Sequence, residues 1–282
     1  MSVFITGISG QLGYDVAKVL EARGIEYKGV SSKDLDITDA SAVTEMITEY
    51  NPDAVIHCAA WTKVDLAEDE PEKCWAVNVD GTRNIASACR KLGCKMVYIS
   101  TDYVFPGDGA EPYMPEDDAN PQSVYGASKY AGELVVKSLL ANYFIVRISW
   151  VFGINGNNFV KTMLRLAETR SELNVVCDQI GSPTYTADLA PLLCDMIKTE
   201  KYGIYHATNE GVCSWADFSK EIFRLAGKEV TVHPILTSAY PTRAVRPLNS
   251  RMNKDKLISS GFSELPTWQN ALSRYIVELC KK

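Results

Sequence analysis

Of the 282 residues only three are histidine, and the eight cysteines (Cys58, Cys74, Cys89, Cys94, Cys177, Cys194, Cys213 and Cys280) form no Cys-x-x-Cys pair. With no histidine at ligand spacing beside them, neither a zinc site nor a dithiol redox motif is indicated, and no metal site is expected. Scattered free thiols fit a reducing compartment. A basic excess is also missing: the net charge of −6 argues against a phosphate-neutralising surface for nucleic acid. Apolar runs such as Tyr143 to Phe152 are broken by Arg147 or too short to cross about 30 Å of hydrocarbon as a helix. The first apolar run has no basic flank and stops at Gly7, so no signal peptide is implied and a soluble, cytoplasmic protein without membrane partners is expected. No internal repeat or low-complexity linker is found, and the oligomeric state stays open, a homodimer included.

What the chain does have is alternation. Val3 to Thr6, Tyr27 to Val30, Ala54 to Cys58, Lys95 to Ser100 and Tyr143 to Ile148 read as strands, and between them Gln11 to Arg23, Ala40 to Tyr50, Pro71 to Leu92 and Ser123 to Ala141 read as helices. Continuous apolar runs suit strands buried on both faces, and crossovers of this length suit parallel pairing. The order predicts an α/β fold, a doubly wound Rossmann sheet. After Gly153 the pattern loosens. Helices are expected over Phe159 to Thr169, Ala187 to Lys198, Trp215 to Ala226, Asn253 to Ser260 and Thr267 to Leu279. Extended pieces fall at Asn174 to Cys177, Ile204 to Thr208 and Val230 to Ile235, and Asp178 to Pro183 reads as turns. The division expected is a cofactor-binding domain of residues 1–153 with 185–208, and a smaller irregular α/β substrate lobe of 154–184 and 209–282.

Gly7-Ile-Ser-Gly10-Gln-Leu-Gly13 follows the first strand and opens a helix. There glycines permit a tight turn and close approach of a pyrophosphate to the helix N-terminus, whose N–H groups and dipole favour an anion. An acidic residue some 20 positions on would grip the adenosine ribose of NAD. The second strand instead runs into Ser31-Ser32-Lys33 with no carboxylate expected at its tip, although Asp34 and Asp36 are close by; hydroxyls and an ammonium suit a 2′-phosphate, so NADP(H) is favoured with NAD(H) possible. Asp36-Ile37 would meet the adenine, a turn or cap role for Asp36 standing beside that reading.

Tyr125-Gly-Ala-Ser-Lys129 sets a phenol and an ammonium on one helix face, within reach of a common ligand. A neighbouring cation favours the phenolate and moves a tyrosine towards a working pKa. The spacing also arises by chance in helices. Ser100-Thr101-Asp102, ending the fourth strand, falls at the same carboxyl edge of the sheet.

These strings resemble the extended short-chain dehydrogenase/reductases, whose hallmarks are the Gly-x-x-Gly-x-x-Gly loop, an Ala-Ala pair after the third strand (Ala59-Ala60), a Ser or Thr after the fourth, and Tyr-x-x-x-Lys. Further strings extend the likeness over nearly the whole chain: His57 to Asp65, Asn78, Ser100 to Phe105, Arg147 to Gly153, Asp178 to Thr184 and Arg246 to Ser250. His57-Cys58 departs from the Asn and small residue common there. The finer likeness, to the deoxysugar-nucleotide reductases within that family, implies hydride transfer from NAD(P)H to the C4 ketone of dTDP-4-dehydro-6-deoxy-L-mannose, giving dTDP-L-rhamnose. By the same resemblance, Tyr125, Lys129 and Thr101 would be catalytic. Tyr125 would protonate the developing alkoxide, Lys129 would hold the nicotinamide ribose, and Thr101 would bond the substrate oxygen. Asp102 and Trp150 would frame the sugar, although an aromatic ending a buried strand also reads as core. Gly7, Gly10, Gln11, Leu12, Gly13, Ser31, Asp36, Ile37, Ala59, Ala60 and Trp61 would join Tyr125 and Lys129 around the cofactor. Arg246 suits a nucleotide diphosphate or a surface ion pair. Glu68-Asp69-Glu70 reads as a solvated helix start, and His206 and His233 read as structural. Another sugar-nucleotide reductase or epimerase, or a non-catalytic regulatory subunit of this fold, are the rival readings.

Overall fold

The computed structural model describes residues 1–281. Its first half runs β1 (Ser2–Thr6), α1 (Gln11–Ala22), β2 (Glu26–Val30), α2 (Ala40–Tyr50), β3 (Ala54–His57), α3 (Val64–Asp69), α4 (Pro71–Trp75), α5 (Thr82–Leu92), β4 (Lys95–Thr101), α6 (Val124–Leu139) and β5 (Tyr143–Ile148). The helix expected over Pro71 to Leu92 is interrupted by a π-helical turn, Ala76–Gly81. The second half runs β6 (Val151–Phe152), α7 (Phe159–Leu166), β7 (Glu172–Val176), β8 (Ile180–Gly181), β9 (Thr184–Tyr185), α8 (Thr186–Met196), β10 (Gly203–His206), β11 (Cys213–Ser214), α9 (Trp215–Leu225), β12 (Thr231–Ile235), β13 (Asn249–Ser250), α10 (Asp255–Ser259) and α11 (Trp268–Cys280).

Six strands form one sheet in the order β10-β5-β4-β3-β1-β2, every pair parallel. The chain leaves β1 towards β2 on one side and returns to β3 on the other, so β1 and β3 flank the switch point where ligands bind in such sheets. Alternate residues of a strand face opposite ways, and both faces here are covered. Val3 and Ile5 pack with Val16 and Leu20 of α1 and Leu189 and Leu193 of α8. Phe4 packs with Val43 and Ile47 of α2 and Ile85 of α5. Each such side chain, fully removed from water, stabilises the fold by roughly 1.5–3 kcal/mol.

Beyond β5 the strands are short and paired at a distance in sequence. β6 pairs with β9, β7 with β12, and β8 lies between β11 and β13. Thus Ile180 and Gly181, read from sequence as part of a turn, are the middle of a sheet. Aromatic residues fill this region: Phe152 stacks on Tyr185 and meets Tyr275 edge-on. Two elements of the second half return to the large sheet, β10 pairing with β5 and α8 packing on α1. No helix among the described residues is long and apolar enough to cross a membrane.

Candidate active site

A cleft of about 900 Å³ opens at the carboxyl ends of β1, β3, β4 and β5. Its floor at the switch point is main chain. Gly7 has φ +71°, and a Cβ there would stand 2.8 Å from the Ala59 nitrogen, so glycine is needed for both conformation and space. A Cβ on Gly13 would collide with the Gly7 carbonyl; Gly13 lies behind the cleft and lets helix and turn close up, while Gly7, Gly10, Gln11 and Leu12 line it. No side chain caps α1 at Gly10, which leaves its first-turn N–H groups for an anion. Asn155 holds the loop by donating to the Ser9 carbonyl at 2.8 Å, and Asn158 donates to Gln11 Oε1 at 3.0 Å. The turn, uncapped helix and lining glycines fit a dinucleotide pyrophosphate.

Ser31, Ser32, Asp36 and Ile37 line the adjoining wall. Here the structure corrects one expectation: a carboxylate does reach the tip of β2. Asp34 folds back and accepts from the Ser31 hydroxyl at 2.6 Å and the Ser31 amide at 2.8 Å, and those bonds hold its carboxyl below the usual range. Asp36 has the turn role, accepting from the amide and hydroxyl of Thr38, and still lines the cleft.

Ala59, Ala60 and Trp61 cross the cleft's middle. Asn78, in the π-helical turn, clamps Trp61 by accepting from its amide at 2.8 Å and donating to its carbonyl at 3.2 Å, and also donates to Ser128 Oγ on α6 at 2.9 Å. Sequence reading gave Asn78 no role. π-Bulges concentrate at functional sites. His57 is buried between Thr6 and Thr82 hydroxyls at 2.6 and 3.2 Å, and burial, with the Lys129 charge, pushes it down to about 3. It is a neutral structural residue. His206 is likewise buried, its Nδ1 bonded to the Asn253 carbonyl at 3.0 Å, whereas His233 pairs with Glu172 at the surface.

Tyr125 and Lys129 stand on the first turns of α6. Ser123 caps this helix by accepting from the Gly126 amide at 3.1 Å, and Glu68 accepts from the Val124 amide at 2.8 Å. Of the acidic run, Glu68 and Asp69 end α3 and Glu70 precedes α4, and Glu68 also fixes the start of the helix that carries the pair. Both Tyr125 and Lys129 are buried yet line the cleft. The Lys129 ammonium lies 4.1 Å over the Tyr98 ring. In the protein by itself the expected direction for the phenol reverses: burial pushes Tyr125 up, the Thr101 hydrogen bond opposing. The lysine is the group brought down, to about 7, by burial, with Glu133 opposing.

Thr101 joins the phenol to Asp102, donating to Asp102 Oδ1 at 2.9 Å, while Ser250 donates to Oδ2 at 2.5 Å. Asp102 is buried, which raises its carboxyl to about 6 against the pull of the Ser250 and Thr101 hydroxyls. Both its oxygens are thus engaged by protein hydroxyls, and the residue lines the cleft.

Trp150 is not a closed core residue. Its φ is +50°, a region costing a bulky residue about 1–3 kcal/mol, and its ring stacks on Trp215 at 3.6 Å with planes 10° apart. A Cβ on Gly181 would come 2.8 Å from that ring, so the glycine makes room for it. Trp150 lines the first cleft and Trp215 a second cavity of about 1020 Å³, which also receives Arg170, Tyr240 and Arg246. Arg246 does form an ion pair, donating to Asp65 at 2.6 Å, and it also donates to the Tyr103 hydroxyl at 3.2 Å.

Residues 1–280 match the family model described as RmlD substrate binding domain. A dTDP-4-dehydrorhamnose reductase of Streptomyces griseus is 41% identical over 283 residues, covering 98% of this chain and 93% of that protein. The crystal structure of a dTDP-4-dehydrorhamnose reductase from Clostridium acetobutylicum superposes with TM-score 0.97 at 42% identity, covering 100% of both chains. That of the Bacillus anthracis dTDP-4-dehydrorhamnose reductase in complex with NADP gives TM-score 0.96 at 46% identity, covering 98% of this chain and 99% of that one.

Proposed function

The chain belongs to the RmlD substrate-binding-domain family, and from that premise we propose that it reduces the C4 ketone of dTDP-4-dehydro-6-deoxy-L-mannose to dTDP-L-rhamnose with NADPH, NADH being the poorer donor. The observation that carries the reading is the meeting of Tyr125, Thr101 and Lys129 across the cleft from a glycine loop shaped for a pyrophosphate. Gly7, Gly10, Gln11 and Leu12 would hold the pyrophosphate, Ser31 and Ser32 the ribose 2′-phosphate, and Ala59, Ala60 and Trp61 the wall along the nicotinamide. The bound cofactor supplies hydride to the sugar C4 carbon.

The remaining chemistry belongs to side chains. Burial keeps the Tyr125 phenol protonated, the form a proton donor needs. As the C4 oxygen gains charge it takes the Tyr125 proton, and the phenolate left behind is stabilised by the Lys129 ammonium. Thr101 donates its one proton to Asp102, which fixes its hydroxyl oxygen against the Tyr125 phenol. The Trp150 ring offers the sugar an apolar face. The aromatic cavity beyond it, with Arg246 and Arg170, suits the nucleoside and diphosphate.

The proposed division into a cofactor-binding unit, residues 1–153 with 185–208, and a substrate lobe, 154–184 with 209–282, is supported by the return of β10 and α8 to the large sheet. Eight free cysteines support a cytoplasmic setting, with the chain acting as a monomer or a homodimer. The test is an assay with the ketosugar generated in situ, following NADPH absorbance. Oxidation of NADPH matched by rhamnose nucleotide is expected; epimerised sugar without net oxidation would overturn the reading.

A further inference from the structure

Four residues after Lys129 on α6, and so on the same face one turn on, lies Glu133, fully buried. Arg147 on β5, itself 2% exposed, donates to it twice, Nε to Oε1 at 2.9 Å and Nη2 to Oε2 at 2.7 Å. Ser100 on β4 donates to Oε1 at 2.5 Å. Arg147 also donates to the Pro115 carbonyl at 3.1 Å and lies over the Phe105 ring. One carboxylate thereby ties the helix carrying Tyr125 and Lys129 to the strand ends carrying Thr101 and Trp150.

Such a buried pair is weak as a stabiliser, since desolvation offsets much of the attraction, and apolar residues of similar size hold a fold as well. Its place argues for another use. Lys129 sits in a buried setting with Tyr98 of β4 beneath it, His57 and Cys58 at the end of β3, Cys74 of α4 and Tyr125 of its own helix. Of these neighbours none is a carboxylate. The thiols are held neutral by burial, Cys58 being pushed up to about 12. Glu133 is the carboxylate that favours the charged lysine, and the guanidinium facing it from β5 has His206 of β10 on its far side.

Resting on the reductase reading above, we propose that Glu133, braced by Arg147 and Ser100, is a positioning residue that keeps Lys129 charged and aimed at the cofactor ribose. The test reads cofactor binding, which needs no sugar substrate. The NADPH dissociation constant is measured by reduced-nicotinamide fluorescence from mildly acid to alkaline pH, on protein whose cooperative unfolding shows it folded. In the wild type, affinity weakens as Lys129 loses its proton. The double variant Glu133→Gln/Arg147→Met leaves no orphaned charge and is expected to fold. Loss of the carboxylate favours the neutral lysine, and loss of the guanidinium paired with it offsets this in part, so the break moves to lower pH by several tenths of a unit. Glu133→Asp keeps the charge and is expected to leave the break in place. A folded double variant with the wild-type break, or a break that moves equally in Glu133→Asp, overturns the proposal. Loss of sugar reduction in the wild type with normal NADPH binding would overturn the substrate reading and leave this one standing.

Discussion

The end of the cleft beneath Gly7 and Ala59 is walled by main chain, and the end beyond Thr101 by side chains brought together from distant segments. At the first end the shape follows from a left-handed glycine, a close approach of two loops and an uncapped helix, all within the β1–α1 and β3 connections. At the second, Ser250 reaches Asp102 across 148 positions, Trp150 lies on Trp215, and Arg246 reaches Asp65 across 181. A backbone cradle tolerates changes in side chains but not an added Cβ. A side-chain wall has the opposite sensitivities, and the catalytic pair stands at the boundary between the two.

Substitutions at the boundary should hurt most. Tyr125→Phe is expected to lower turnover on the order of a hundredfold to ten-thousandfold, with NADPH affinity nearly unchanged by titration; near-wild-type turnover would remove Tyr125 as the donor. Next comes the main-chain end. Gly7→Ala should weaken NADPH binding at least tenfold and lower stability by about 1–2 kcal/mol, while the KM for sugar nucleotide at saturating NADPH stays close to wild type. A variant that loses both affinities in step would dissolve the distinction between the ends. Trp150→Ala should do the reverse, raising the sugar-nucleotide KM roughly tenfold, about 1.4 kcal/mol, with NADPH binding intact.

The smallest effect is expected at Ser250. Its hydroxyl helps hold the Asp102 carboxylate ionised, so in Ser250→Ala the carboxyl, already raised to about 6, rises further. If ionised Asp102 orients Thr101, activity falls as pH drops through that value. The acid limb of the kcat/KM profile then moves to higher pH by several tenths of a unit. An unmoved limb would mean that Asp102 does not govern it.

The same division explains what could be read from the chain. β5 is found where its apolar run predicts it and α2 between the residues its pattern predicts, because long buried elements carry periodicity. Gly7 and the Tyr125–Lys129 spacing were legible because each is a local geometric requirement. Strands of two residues such as β6 and β8 have no period to detect, and α3 at six residues lacked caps to mark it. The left-handed backbone of Trp150 is not written in its own segment. The electrostatics failed for a similar reason: neighbouring charge alone predicts a lowered phenol, but burial, a property of the assembled fold, outweighs it at Tyr125. Glu133 was overlooked because a glutamate in a helix looks solvent-facing until β4 and β5 close over it.

The most direct measurement is isotopic. Turnover of the 4-ketosugar nucleotide with NADPH deuterated at the transferable nicotinamide position, read by mass spectrometry of the sugar, should place one deuterium on C4 for each NADPH consumed; a reduced sugar without deuterium at C4 would contradict the account.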